Sequence, residues 1–180
     1  PLGVSPLIPS TFITFFGDDM VKSFDFLKKL ISAPGLSGFE GPVSQLIAEV
    51  WKDYTDQLET SRVGSLHGLQ TGSGPEPRPK ILLATHMDAI GLMVSGYAGH
   101  CLRITAVGGV DHRVLPGQRV TVHGREDLPG VVAQPPPDLI PDGDKNKAVA
   151  MKYLLVDVGL NAEALHEKVR IGDLISFAQE

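Results

Sequence analysis

A single cysteine, Cys101, stands in a chain of 180 residues. One thiol cannot form a disulfide within the chain, and a four-thiolate zinc site is excluded. The formal net charge is −5, and phosphate binding draws on excess positive charge, so we expect no nucleic-acid partner. No apolar run reaches the ~18 residues of a membrane-spanning helix, so we expect no membrane partner. This balance is typical of a protein in a reducing cytoplasm.

Apolar residues make up 42% of the sequence and charged residues 21%, which is the composition of a globular protein with a real core. The chain also holds 20 glycines and 14 prolines. An all-helical protein would hold fewer, because both residues interrupt helices. These values predict a fold with many short strands joined by turns.

Residues 1–19 differ from the rest of the chain, since they contain no Lys or Arg and are rich in Pro, Phe, Ile and Thr. A secretory signal begins with a basic segment, so no such signal is predicted. Met20 opens the first helical pattern, and we expect it to be the natural start. Residues 1–19 would then be a leader or a segment derived from expression. An ordinary N-terminal arm or edge strand is the alternative.

Two helices are predicted in the first third of the chain. Residues 20–32 repeat apolar side chains every three or four positions, which predicts an amphipathic helix that Pro34 ends. Residues 37–40 (SGFE) have the form of a capping box. The apolar stripe behind them predicts a second helix that ends at about Tyr54.

Two strands follow these helices. Residues 58–69 alternate weakly, which predicts a strand broken at Gly64. Residues 80–85 (KILLAT) form a short apolar run, which predicts a buried strand at the centre of a sheet covered on both faces. We therefore predict an α/β segment over residues 20–91.

Beyond Gly91 the chain changes character, because short runs of β-type residues alternate with glycine turns. One short helix is predicted near residues 162–168. Regular short strands with turn signals favour a small barrel or sandwich over residues 92–178. The predicted strands are 92–95, 101–107, 119–123, 130–133, 153–158 and 174–177.

The sharpest chemical feature is the pair His86 and Asp88, at the end of the predicted strand 80–85. Ligands of open α/β sheets bind at the carboxyl ends of strands, and imidazole is a common zinc ligand. Asp88 lies two residues on, so it faces the same side and can accept the other ring N–H. By spacing alone, a polar strand end or a structural His–Asp hydrogen bond remains the alternative.

The other candidates carry weaker signals. The remaining histidines show no paired spacing and are interpreted as surface or turn residues; they are His67, His100, His112, His123 and His166. Cys101 lies inside a strand pattern and is interpreted as a buried, inert thiol.

Several motifs occur together in a familiar order: residues 37–40 (SGFE), 85–94 (THMDAIGLMV) and 108–120 (GGVDHRVLPGQRV), then 157–159 (DVG) and 169–173 (VRIGD). In this order and spacing they resemble the tetrahedral (TET) aminopeptidase family. Its members are di-metal glutamyl and leucyl aminopeptidases, some of them labelled endoglucanase or cellulase. The resemblance runs from about Met20 to Phe177.

The resemblance implies an α/β fold. The N-terminal part of a di-metal aminopeptidase catalytic sheet would occupy residues 20–91. An inserted all-β, barrel-like (PDZ-like) dimerisation domain would follow over residues 92–178. It also implies two divalent metal ions, zinc or cobalt, in each complete subunit. His86 would be a ligand of one metal, and Asp88 would be the catalytic-site residue that orients it.

The implied reaction removes N-terminal amino acids from peptide substrates. The implied partner is a second copy of the chain, bound through the β domain as a dimer and in some members as a dodecamer. Family members are about twice as long, and their remaining metal ligands and general base follow the inserted domain. We therefore expect this chain to be the N-terminal half and to be inactive alone.

One position departs from the family pattern, since Ala89 stands where a glutamate usually follows the His-Met-Asp sequence. Two other functions stay open. The chain could be a non-catalytic assembly module built around the β domain. The weaker alternative is an endoglucanase, which would need a facing pair of carboxylates.

Overall fold

A computed structural model describes residues 22–144 and 147–178. The predictions for residues 1–19 and for Met20 as the natural start lie outside these ranges. None of the helices within them combines the length and the apolar character that crossing a bilayer requires.

The first part of the chain consists of two helices and a hairpin. Gly64 lies in the hairpin turn with a φ of +88°, a left-handed conformation that glycine adopts without steric cost. The predicted break at Gly64 is thus the turn between two antiparallel strands. The elements are α1 over residues 22–32, α2 Gly41–Trp51, β1 Gln57–Thr60 and β2 Leu66–Leu69.

The predicted capping box over residues 37–40 is wrong. The second helix begins at Gly41 with Glu40 as its N-cap, and no side chain caps it. Glu40 Oε1 instead accepts a hydrogen bond from the backbone N–H of Gly38 at 2.7 Å. The Ser37 hydroxyl makes a long-range contact instead, and a long-range partner is invisible to a local four-residue pattern.

The predicted central strand over residues 80–85 is also wrong. These residues form no strand, and Ile81, Leu82 and Leu83 are 86–89% exposed. A parallel strand needs a neighbour to accept its backbone hydrogen bonds. Within the described ranges, β1 and β2 pair only with each other, so residues 80–85 have no strand to pair with.

The rest of the described chain forms a closed six-stranded barrel, with the strands in the order β3-β4-β7-β6-β5-β8. Every neighbouring pair is antiparallel. Closure leaves no unpaired barrel edge. The prediction of an all-β, barrel-like module is confirmed. The strands are β3 Gly91–Ala98, β4 Cys101–Val107, β5 Arg119–His123, β6 Asp127–Ala133, β7 Leu155–Asp157 and β8 Leu174–Phe177, and α3 Ala162–Lys168 precedes β8.

Alternation along the strands builds the barrel core. In β5, Val120 and Val122 are buried while their neighbours are not, as expected when successive side chains point to opposite faces. The same pattern holds in β4, where Leu102 and Ile104 are buried. No polar side chain is buried among the described residues. The buried core consists of Leu92, Val94, Leu102, Ile104, Leu115, Val120, Val122, Leu128, Val132, Leu154, Val156, Leu165, Val169 and Ile175.

Candidate metal-binding site

The segment that follows α1 runs beside the chain that enters the barrel. Leu36 and Ala89 form a parallel bridge, and the Ala89 N–H donates to the Gly35 carbonyl at 2.7 Å. The Leu36 side chain is fully buried. It lies against Gly91, where a Cβ would meet Leu36 Cδ2 at 2.6 Å. This packing fixes the register of the two segments and brings Ser37 beside Asp88.

Ser37 and Asp88 make the first contact of the site. The Ser37 hydroxyl donates to Asp88 Oδ2 at 2.5 Å. This hydrogen bond, and after it the interactions with His86, hold the pKa of Asp88 below its ordinary value because they favour the ionised form. Asp88 is therefore a carboxylate at neutral pH and can only accept hydrogen bonds.

His86 is held by the same carboxylate. Its Nδ1 lies 3.1 Å from the Asp88 carbonyl oxygen and 3.2 Å from Asp88 Oδ1. Both oxygens accept hydrogen bonds, so Nδ1 must carry the proton and donate it. In the neutral ring the lone pair then resides on Nε2. The side chain of His86 is 84% exposed, which leaves Nε2 accessible. This is the tautomer and the carboxylate support of a metal-binding histidine.

A cleft of about 210 Å³ opens beside these residues. Its walls are Glu40, the turn between β1 and β2, and residues 85–88. The hairpin turn therefore lines the same cleft as the segment that carries His86. The cleft brings one imidazole and two carboxyl groups to a common space.

The donor set at His86 fits part of a metal site. Imidazole nitrogen suits zinc and cobalt, and His86 Nδ1 lies within hydrogen-bond distance of two Asp88 oxygens. A catalytic zinc site takes at least three protein ligands. Within residues 22–144 and 147–178, His86 belongs to no group of three side chains with ligand atoms close enough to share an ion. Further ligands would have to come from outside these residues.

The structure thus brings together the two residues that the sequence singled out. The predicted contact between Asp88 and the His86 ring is present, while the metal-ligand role of His86 and the orienting role of Asp88 stay predictions. Sequence analysis missed Ser37 as a partner of Asp88. The sequence did contain a signal for Ser37, because residues 37–40 form one of the motifs that carry the family resemblance.

Replacing Ser37 by Ala is expected to raise the pKa of Asp88 toward its ordinary value, because the largest interaction that favours the carboxylate is lost. The Ser37–Asp88 contact stabilises the folded state more when Asp88 is ionised, so this additional stabilisation is lost as the pH falls through the folded-state pKa. An NMR titration of the Asp88 carboxyl carbon measures the shift. Ser65→Ala removes a hydroxyl from the same cleft as a control. An unchanged titration in Ser37→Ala would contradict the assignment.

Comparison with known proteins places these features in a family. The M42 glutamyl aminopeptidase family matches residues 64–180, a range that includes His86, Asp88 and the barrel. The lysyl aminopeptidase of Pyrococcus furiosus is 32% identical over 165 residues, which cover 86% of this chain and 45% of that protein. The chain thus spans less than half the length of this curated relative.

Solved structures show the same likeness. A TET aminopeptidase from a marine-sediment Thaumarchaeota archaeon superposes with a TM-score of 0.79 at 32% identity, covering 89% of this chain and 45% of its own. The TET1 peptidase of Pyrococcus horikoshii, which assembles into a tetrahedron or a large octahedral shell, has a TM-score of 0.71 at 32% identity, with 87% and 47% covered. A Thermotoga maritima structure named endoglucanase reaches 0.69 at 34% identity, with 84% and 44% covered.

These findings confirm the resemblance seen in the sequence motifs, including the endoglucanase label of some relatives. The matched range of residues 64–180 is more than half of the 180 residues. The chain belongs to the M42 glutamyl aminopeptidase family.

Proposed function

We propose that this chain supplies part of the active site of a metal-dependent aminopeptidase that removes N-terminal amino acids from peptides. The observation that carries the proposal is the His86–Asp88 contact, which leaves His86 Nε2 free to bind a metal. Residues 20–91 would be the N-terminal part of the α/β catalytic domain. Family membership supports a peptidase, and the single cysteine favours a reducing compartment such as the cytoplasm.

In this proposal each residue at the site has a separate task. His86 would hold one of two divalent ions, zinc or cobalt, through Nε2. Asp88 would fix the ring orientation and keep the proton on Nδ1. Nε2 would then be a stronger electron-pair donor to the metal. Ser37 would hold the Asp88 carboxylate in place. When bound, a pair of such ions supplies water activation and polarisation of the scissile carbonyl.

The described residues provide one ligand of such a site, so we propose that the 180-residue chain is not a competent peptidase alone. A lone imidazole binds a divalent ion too weakly to hold a pair of ions at useful occupancy. The exposed apolar segment at residues 81–83 supports this proposal, because three consecutive aliphatic side chains are normally covered by neighbouring parts of a fold.

The barrel is proposed to mediate association between copies of the chain. Residues 92–178 carry their own buried core and a closed hydrogen-bond network, which suits an inserted, PDZ-like dimerisation domain. The relative from Pyrococcus horikoshii that forms closed shells supports an assembly role, as a dimer or within a dodecamer. This role would also hold if the chain had no catalytic part.

An endoglucanase activity is disfavoured by the electrostatics of the cleft. Glycoside hydrolysis needs one carboxyl group that stays protonated, with a raised pKa, opposite a second carboxylate. The two carboxyl groups in the cleft are Glu40 and Asp88. The pKa of Asp88 is lowered, and Glu40 Oε1 is engaged by the Gly38 N–H. A carboxyl group with a lowered pKa is unsuited to the acid role, so Asp88 does not supply it.

The proposal is tested by complementation. The C-terminal part of an M42 aminopeptidase, beyond the region that this chain matches, is produced separately. It is mixed with this chain in the presence of zinc or cobalt. We expect chelator-sensitive hydrolysis of aminoacyl-anilides that falls at least about 100-fold in His86→Ala, because a direct ligand is lost. His67→Ala, at an exposed hairpin position, is the control. Hydrolysis that His86→Ala leaves unchanged would contradict the proposal.

A further inference from the structure

A second cluster of ligand-type side chains lies at one end of the barrel, on its outer surface. The hairpin between β3 and β4 closes with Gly99 and His100 between the paired residues Ala98 and Cys101. Gly99 has a φ of +63°, and no other residue type in the described chain has a positive φ. This is the geometry of a type II′ turn, which requires glycine at its first position. The turn holds His100 directly beside Cys101.

Strand register brings a carboxylate to the same place. Leu102 pairs with Val156 and Arg103 with Leu155 between β4 and β7, so Cys101 lies opposite Asp157. Leu102 and Val156 are buried in the barrel core, and side chains alternate along strands. Cys101 and Asp157 therefore both point away from the core. Opposite residues on one face of an antiparallel pair have Cβ atoms ~5 Å apart.

The ligand atoms of His100, Cys101 and Asp157 all lie within 4.8 Å of one another. Within the described ranges, this is the one group of three such side chains that meets this condition. A tetrahedral zinc ion with ordinary bond lengths holds its ligand atoms roughly 3.3–3.6 Å apart. Small side-chain rotations would bring the ligand atoms to these shorter separations. His100 can rotate because it is exposed at a turn.

We propose that His100, Cys101 and Asp157 form a zinc site on the outer surface of the barrel, separate from His86. The donor set is one imidazole nitrogen, one thiolate and one carboxylate, and zinc accepts all three. A thiolate and an imidazole disfavour magnesium and calcium, which prefer oxygen ligands. Three protein ligands leave one position for water, so the bound ion is exchangeable.

The carboxylate is already positioned for this role. Asp157 Oδ1 accepts a hydrogen bond from the Gly159 N–H at 2.8 Å, which fixes the carboxyl group and leaves Oδ2 for an ion. Supporting hydrogen bonds of this kind orient metal-binding carboxylates. Burial, and next the Asp157 charge, raise the pKa of the Cys101 thiol, so metal binding displaces its proton. The ion would join the β3–β4 turn to β7.

The test uses cobalt(II) as a spectroscopic substitute for zinc. Cobalt bound to a thiolate gives an intense near-ultraviolet charge-transfer band, and Cys101 is the sole cysteine of the chain, so that band reports on one residue. We expect the band to appear on titration of the full chain with cobalt and to disappear when zinc displaces it. Cys101→Ser is expected to abolish the band.

The other two ligands are tested by affinity. His100→Ala and Asp157→Asn are each expected to weaken cobalt binding at least about tenfold, and His86→Ala is expected to leave the band and its affinity unchanged. Asp157→Asn keeps an oxygen that can accept from Gly159, and circular dichroism confirms the barrel in each variant. Zinc is also expected to raise the Tm of the wild type and not of His100→Ala. The proposal would be overturned if the wild type showed no band. It would also be overturned if both His100→Ala and Asp157→Asn bound cobalt with unchanged affinity.

Discussion

The Leu102→Ala variant is expected to lower the free energy of unfolding of the barrel by about 2–5 kcal/mol. Leu102 is fully buried in the barrel core and lies on β4, which pairs with both β3 and β7. Truncation removes its contacts and leaves a cavity that a closed sheet cannot collapse around, because every strand is held by two neighbours. Urea unfolding followed by circular dichroism measures the change.

Leu139→Ala is the matched control for this prediction. Leu139 is 73% exposed and lies in a short 3₁₀ turn outside the barrel strands. The same truncation there is expected to change the free energy of unfolding by less than about 0.5 kcal/mol. Equal effects of the two variants would contradict the assignment of Leu102 to the centre of a closed core.

A second large effect is expected from the uncovered segment at residues 81–83. Its three aliphatic side chains are almost fully exposed, which favours self-association of the isolated chain. Burying each such side chain contributes roughly 1.5–3 kcal/mol. The double variant Ile81→Lys, Leu83→Lys is therefore expected to weaken this association at least about 100-fold, as measured by sedimentation equilibrium over a range of concentrations.

The control for the second prediction is Val63→Lys, at a similarly exposed position in the turn between β1 and β2. It adds a charge outside the uncovered segment and is expected to leave the association constant within about threefold. The Tm of the barrel is expected to stay the same in both variants. If the double variant associates as tightly as the wild type, residues 81–83 do not form the contact between copies of the chain, which contradicts the prediction.

The local sequence pattern was sufficient to predict much of the barrel. The predicted ranges 101–107, 119–123 and 174–177 coincide with β4, β5 and β8, and 162–168 coincides with α3. In these segments the alternation, the turn glycines and the sheet partners all favour the same structure, so propensity and tertiary contacts agree. The prediction for 153–158 was too long, because Met151–Tyr153 winds into a 3₁₀ turn before β7 begins.

Contacts between distant parts of the chain were not predictable in the same way. Residues 80–85 have the composition of a buried strand, but composition does not supply the neighbours that such a strand needs. Ser37 matched a local capping pattern, although its partner Asp88 lies 51 residues away. The proximity of His100 and Cys101 to Asp157 was not visible in the sequence, because Asp157 is brought in only by the register of β7 on β4.

The most direct test of the central claim is an aminopeptidase assay of the 180-residue chain alone, with an intact barrel shown by circular dichroism. Lysyl-, glutamyl- and leucyl-anilides are supplied with zinc or cobalt. We predict no turnover above the metal-only control, since the proposed ligand His86 belongs to no group of three side chains that could share an ion among the described residues. Robust, chelator-sensitive turnover that is lost in His86→Ala would contradict that claim.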